Sequence, residues 1–114
     1  MAYQRGDLVL IPFPFSDLKT TKTRPALVVS STIYHANCLD ILLAYVSSQV
    51  TRARQPLDYI IADWQTAGLL KPSFIRPKVA TVDPSLIRYH IGRLSDTDLK
   101  AVDTRLQIAF DLDI

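Results

Sequence analysis

Six short runs rich in branched and aromatic residues follow one another closely along the chain, and only one stretch, near the end, repeats its apolar residues at helical spacing. The runs are Leu8 to Phe13, Ala26 to Ser31, Leu39 to Ser48, Leu57 to Ala62, Lys78 to Asp83 and Tyr89 to Leu94. Branched and aromatic side chains suit a pleated, half-buried surface, so each run is predicted to be a strand. Strands this short at this spacing predict a compact β-barrel, a mainly β (α+β) fold. Pro12 and Pro14 remove two backbone donors and put the far end of the first strand at a sheet edge or bulge.

The connections are read the same way. Ser16 to Thr23 is polar and carries Lys19 and Lys22, so it is an exposed loop, and Thr32 to Cys38 is a plain connection. The third strand is almost wholly apolar until Ser47 and Ser48, which gives it a buried middle and a solvated end. Asp63 is placed to cap one helical turn through Trp64 to Ala67, stopped at Gly68. Ser95 and Asp98 have the Ser-x-x-acid form of a helix start, and Leu99, Val102, Leu106 and Ala109/Phe110 then form an apolar stripe that should pack on the sheet, with Lys100 and Asp103 outward. Trp64, Phe74 and Tyr89 are expected in the core more than as base-stacking platforms.

At 114 residues and 48% hydrophobic content, residues 1–114 are expected to form one domain with one ordinary core. Net charge is only +2. It is nevertheless uneven: residues 1–78 hold nine Lys/Arg against five Asp, and residues 79–114 hold four against six. An anionic partner is therefore expected on the first two-thirds. The run Leu8 to Phe15 contains two prolines and no small-residue cleavage site follows it, so no signal peptide is read there. No apolar stretch is long enough for a bilayer, and the single cysteine, Cys38, suits a reducing compartment. A soluble, cytoplasmic protein is expected.

Several chemistries lack their residues. His35 and His90 stand apart from any acidic cluster, and one cysteine cannot build a thiolate metal site, so no metal and no cofactor is expected. There is no phosphate-binding Gly-rich loop and no Gly-x-Ser-x-Gly elbow. All the acids are Asp, which leaves no glutamate for general acid or base work.

What remains suits phosphodiester chemistry. RNA carries its own nucleophile in the 2′-hydroxyl, so a protein need only orient it, shift protons and neutralise charge growing on phosphorus. Arg24 offers a planar, permanently charged fork, and Pro25 restricts Arg24 to extended backbone that aims the side chain. Ser47 or Ser48 could hydrogen-bond a phosphate oxygen or the 2′-hydroxyl. Strand alternation sends them to opposite faces, so one of the two is expected to meet Arg24. Gln49 suits a base edge, a sugar or simply a turn. Lys19, Lys22, Arg52 and Arg54 are candidates for gripping flanking phosphates or for plain solvated surface. His35 could carry a proton at neutral pH or be an ordinary surface residue.

Taken together, Arg5-Gly-Asp-Leu-Val-Leu-Ile-Pro-Phe-Pro-Phe15, Arg24-Pro-Ala-Leu-Val-Val-Ser30, the strand ending Ser47-Ser48-Gln49, Lys78-Val-Ala-Thr-Val-Asp83 and Ile91-Gly-Arg-Leu-Ser95 resemble the MazF/PemK toxins of bacterial toxin-antitoxin systems, in order and spacing and nearly end to end. The resemblance implies an SH3-like small β-barrel with a C-terminal α-helix, a homodimer, and metal-independent, sequence-selective cleavage of single-stranded RNA to a 2′,3′-cyclic phosphate and a 5′-hydroxyl. It also implies a cognate antitoxin whose acidic segment covers the cationic face. The family's arginine falls on Arg24 and its strand-end Thr or Ser on Ser47. Many members carry a Glu in the loop before the arginine, and some a His directly before it. Lys19 and Thr23 stand there in this chain, so the resemblance assigns no proton acceptor.

Two other readings remain open. One is a gyrase-directed, CcdB-like poison of the same fold; such proteins end in Trp-Gly-Ile, whereas this chain ends Leu112-Asp113-Ile114 with its only Trp at 64. The other is a catalytically inactive module of this fold that binds RNA or protein.

Overall fold

A computed structural model describes residues 3–12 and 22–113. Six strands form one antiparallel sheet in the order β4-β5-β3-β2-β1-β6, with β1 at Asp7–Pro12, β2 at Thr23–Val28, β3 at Ile41–Ser47, β4 at Tyr59–Ile60, β5 at Phe74–Val82 and β6 at Tyr89–Arg93. Helix α1, Thr32–Asn37, links β2 to β3, and helix α2, Asp96–Phe110, closes the described chain. The predicted mainly β fold with a C-terminal helix is present, its barrel in the form of a six-stranded half-barrel sheet.

The near-continuous apolar runs arise because the sheet is buried on both faces, which removes the usual in-out alternation. On one face Leu8, Leu27, Ala44, Val46 and Ile75 pack with Val102 and Leu106 of α2. On the other, Val9, Ile11, Ala26, Val28, Ile41 and Leu43 form a second cluster with Val82. Fully burying each such aliphatic side chain stabilises the fold by roughly 1.5–3 kcal/mol relative to exposure.

Local differences from the sequence reading have physical causes. Strand β2 starts at Thr23 rather than Ala26, because Pro25 lies where β2 is paired with β1 alone and its missing donor is harmless. The connection at Thr32 to Cys38 contains α1, whose N-cap is Ser31: its Oγ accepts from the Tyr34 amide at 3.1 Å. With no buried residue in six, that helix has no apolar stripe to read. Strand β5 begins at Phe74, four residues before the predicted Lys78, and Pro77 sits inside it. The ladder runs Ala44↔Val79 and then Tyr45↔Arg76, so Pro77 and Lys78 form a bulge that accommodates the proline. The expected single helical turn at Trp64 to Ala67 is present, closed by an Ala67 N–H to Asp63 carbonyl bond of 3.1 Å and stopped by Gly68 at φ +96°. Asp63 contributes its backbone amide to Asp98 rather than capping with its carboxylate.

Helix α2 starts as expected, with Ser95 Oγ accepting from the Asp98 amide at 3.1 Å. Its stripe is shorter than predicted: Val102 and Leu106 are buried, while Ala109 and Phe110 are exposed because the last turn extends past the packed cluster. Lys100 is outward, but Asp103 is ion-paired with Arg5. Asp98 is fully buried, accepting from the Tyr59 hydroxyl, the Ala62 amide (3.0 Å) and the Asp63 amide (2.9 Å). Among the described residues no helix is long and apolar enough to cross a membrane.

Candidate active site

Arg24 follows the start of β2 and pairs with Ile11, and the proline after it holds its backbone extended. Strand β3 ends nearby at Ser47, where the chain leaves the pleat: the Gln49 amide donates to Ser47 Oγ at 3.1 Å. A cavity of about 670 Å³ opens here, lined by Arg24, Ser47, Ser48 and Gln49 among others. Ser47 and Ser48 both contribute to its lining, at the strand end where strict alternation has ceased. Gln49 makes the turn with its backbone and lines the cavity as well.

The other predicted anion-gripping residues are not gathered here. Lys22, Arg52 and Arg54 are exposed and outside the cavity lining, and Lys19 lies outside the described residues. Three cations that the sequence reading did not single out take their place: Lys71, Arg76 and Lys78. With Arg24 they make four cationic side chains on a cavity to whose lining no described carboxylate contributes.

Arg76 is the most firmly held. Its Nε donates to Asp58 Oδ1 at 3.0 Å and its Nη2 to Asp58 Oδ2 at 2.8 Å, while the Arg54 amide donates to the same carboxylate at 2.8 Å. Asp58 is 1% exposed. Burial alone would raise its pKa, but the Arg76 and Arg54 hydrogen bonds outweigh it and the pKa is lowered. Arg76 is shifted upward in turn, chiefly by its bond to Asp58. The pair keeps a charge fixed at the cavity wall. The guanidinium also lies over the rings of Phe74 (5.3 Å) and Tyr45 (5.8 Å), and the bulge brings Lys78 Nζ to 5.9 Å from the Tyr45 ring.

A readable signal for these cations existed. Arg76-Pro77 repeats the Arg24-Pro25 dipeptide, but a proline inside a run reads as its end. Of the three aromatics expected inside, Phe74 is buried and Trp64 packs on the core, whereas Tyr89 is 63% exposed and lines the cavity. Sitting at the start of β6, it has core on only one side. His35 lies elsewhere, with Nε2 2.5 Å from Ser30 Oγ, and His90 is 3.5 Å from Asp7. Among the described residues no three His, Cys, Asp or Glu side chains cluster as metal ligands.

The family model described as the PemK-like, MazF-like toxin of type II toxin-antitoxin system matches residues 4–110. The chain belongs to that family. No curated protein sequence matches the chain. Among solved structures, an endoribonuclease in complex with its cognate antitoxin from a mycobacterial species superposes with a TM-score of 0.80 at 17% identity, covering 99% of each chain. MazF from Deinococcus radiodurans superposes with a TM-score of 0.74 at 19% identity, over 98% of this chain and 99% of that one. A MazE-MazF structure from the same organism gives 0.75 at 18%, covering 99% of each. At these identities the likeness establishes the MazF fold, and the family match establishes membership among the MazF-like toxins.

Proposed function

We propose that this chain is the toxin of a toxin-antitoxin pair and acts as a metal-independent, sequence-selective endoribonuclease on single-stranded RNA. The observation that carries the reading is the meeting of Arg24, Ser47 and Ser48 with three further cations in one cavity to whose lining no described carboxylate contributes. A polyanion whose reacting centre gains negative charge is the substrate class that such a cavity favours.

The step is an internal transfer. The 2′-oxygen attacks the adjacent phosphorus, the bond from phosphorus to the 5′-oxygen breaks, and the products are a 2′,3′-cyclic phosphate and a 5′-hydroxyl. The 2′-hydroxyl loses its proton and the departing 5′-oxygen gains one. Arg24 neutralises the charge on the pentavalent intermediate. Ser47 Oγ already accepts the Gln49 amide, so its own hydrogen serves a phosphate oxygen or orients the 2′-hydroxyl. Neither an ordinary serine nor an arginine is a good proton acceptor, and their roles here are alignment and electrostatics. Ser48 and Gln49 contact sugar or base, while Lys19, Lys22, Arg52 and Arg54 meet flanking phosphates. The reading extends to a cytoplasmic homodimer blocked by an acidic antitoxin segment.

The test is incubation of the purified protein with a long RNA in EDTA, followed by mapping of new 5′ ends. Cleavage in chelator at a recurring sequence is expected, and Arg24→Ala should abolish it while the melting temperature stays within a few degrees. An Arg24→Ala protein that cuts as well as wild type would remove Arg24 from the mechanism, and a wild type inert toward RNA would remove the ribonuclease reading.

A further inference from the structure

The cavity has two chemically distinct ends. Its cations and hydroxyls gather around the ends of β2, β3 and β5, while the far wall is apolar: Leu10, Leu69, Leu70, Tyr89 and Ile91. Register links the two, since Tyr89 pairs with Leu10 on β1 and Leu10 pairs with Pro25 on β2. Directly paired residues share a face, so Tyr89, Leu10 and Pro25 form one strip. Two interstrand spacings separate its ends, about 10 Å, and Pro25 adjoins Arg24.

Tyr89 is unusual on this strip. It is 63% exposed, and among the described residues it makes no ring contact and its hydroxyl no hydrogen bond. Core packing therefore does not account for it. Leu70, in the same lining, is 93% exposed. The wall that carries them is nonetheless stiff. A Cβ on Gly92 would lie 2.1 Å from the Ala67 carbonyl oxygen, and one on Gly68 would lie 2.8 Å from that of Ile91. The turn thus sits directly on β6 at Ala67 and Gly68, and Leu69 after it is buried in the cluster that Ile91 packs against.

From this arrangement we infer a second subsite: the apolar end seats an unpaired nucleobase neighbouring the cut phosphodiester, stacked on the ring of Tyr89. The inference rests on the ribonuclease reading and adds a specificity-determining residue to it. Charge complementarity selects the occupant, because the ligand must present a polyanionic backbone to Arg24, Lys71, Arg76 and Lys78 and a flat apolar group two strand spacings from Pro25. A single-stranded nucleotide carries both, and stacking on an aromatic ring needs no particular hydrogen-bond pattern.

The experiment uses a short RNA spanning the mapped cut site, with a 2′-deoxy nucleotide replacing the attacking hydroxyl and 2-aminopurine at each flanking position in turn. Tyr89→Ala should weaken binding by about 5- to 150-fold, the range for loss of one base–aromatic stack, and abolish fluorescence quenching at one position. The salt dependence of binding should not change, since no charge is lost. Tyr89→Phe should recover both affinity and quenching, whereas Tyr89→Leu should recover neither. Wild-type affinity and quenching in Tyr89→Ala, or full recovery by Tyr89→Leu, overturns the subsite while leaving the ribonuclease intact. A Tyr89→Ala protein that loses only its hold on an acidic protein partner likewise overturns it. A wild type that neither cuts nor binds RNA overturns both readings.

Discussion

Asp58 and Asp98 are the same residue at the same depth, 1% and 0% exposed, yet their surroundings differ in kind. Asp58 faces a guanidinium that continues outward into the cavity wall. Asp98 faces neutral donors only, a tyrosine hydroxyl and two amides of the segment after β4, besides its own amide's bond to Ser95. In both, hydrogen bonds outweigh the burial that would raise the pKa, and both carboxylates are shifted downward. What the comparison teaches is that a buried charge aimed at an ion presents that ion to the site, whereas one aimed at backbone ties two segments together.

The largest effect expected from breaking this contrast is at Asp98. Asp98→Ala leaves two amides and a hydroxyl without their acceptor and opens a cavity at a fully buried site, and should destabilise the fold by about 3 kcal/mol or more, read by urea unfolding. Cleavage per folded molecule should be nearly unchanged. Asp58→Asn should behave in the opposite way. It leaves a half-exposed Arg76 that water can solvate, so the stability loss should be nearer about 1–2 kcal/mol, while the cleavage rate falls roughly tenfold or more as the cation loses its fixed aim. Equal damage to both properties in both variants would erase the distinction.

Smaller effects lie in pH. A carboxylate with a depressed native pKa contributes stability that is fully present above its unfolded value, about 4, and lost as pH falls through the native value. Thermal stability should therefore drop steeply below about pH 4, and the drop should be shallower in Asp98→Asn. Tyr59 gives the opposite limb. Burial, then the bond to Asp98, pushes its pKa up to about 12. Its contribution is complete below the unfolded value near pH 10 and disappears as pH rises towards the native one. The smallest change expected is in Tyr59→Phe, about 1 kcal/mol, with a flattened alkaline limb.

Features whose cause is local in the chain were legible from sequence. The Ser95 cap, the helix after it, the apolar strands and the extended backbone before Pro25 all depend on a few neighbouring residues. Arg24 and the Ser47-Ser48 end were readable as chemistry because few other polar groups stood beside apolar runs. Features that depend on distant segments were not. Asp98 read as a helix-start acid, since its partners lie 35–39 residues away. Gly92 gave no sign of its contact with Ala67, and Tyr89 read as core because exposure is decided by what packs opposite. Arg76 and Lys78 were obscured by Pro77, which a single-strand reading treats as a terminus and a sheet resolves as a bulge.

That bulge decouples two demands that normally collide. Hydrogen bonding resumes at Val79 whatever occupies position 78, so a change of side chain there is not transmitted along the ladder to the aliphatic contacts beneath. The lining of the cavity therefore has one position whose charge can drift between related family members, retuning the field inside it, without renegotiating the architecture that supports it.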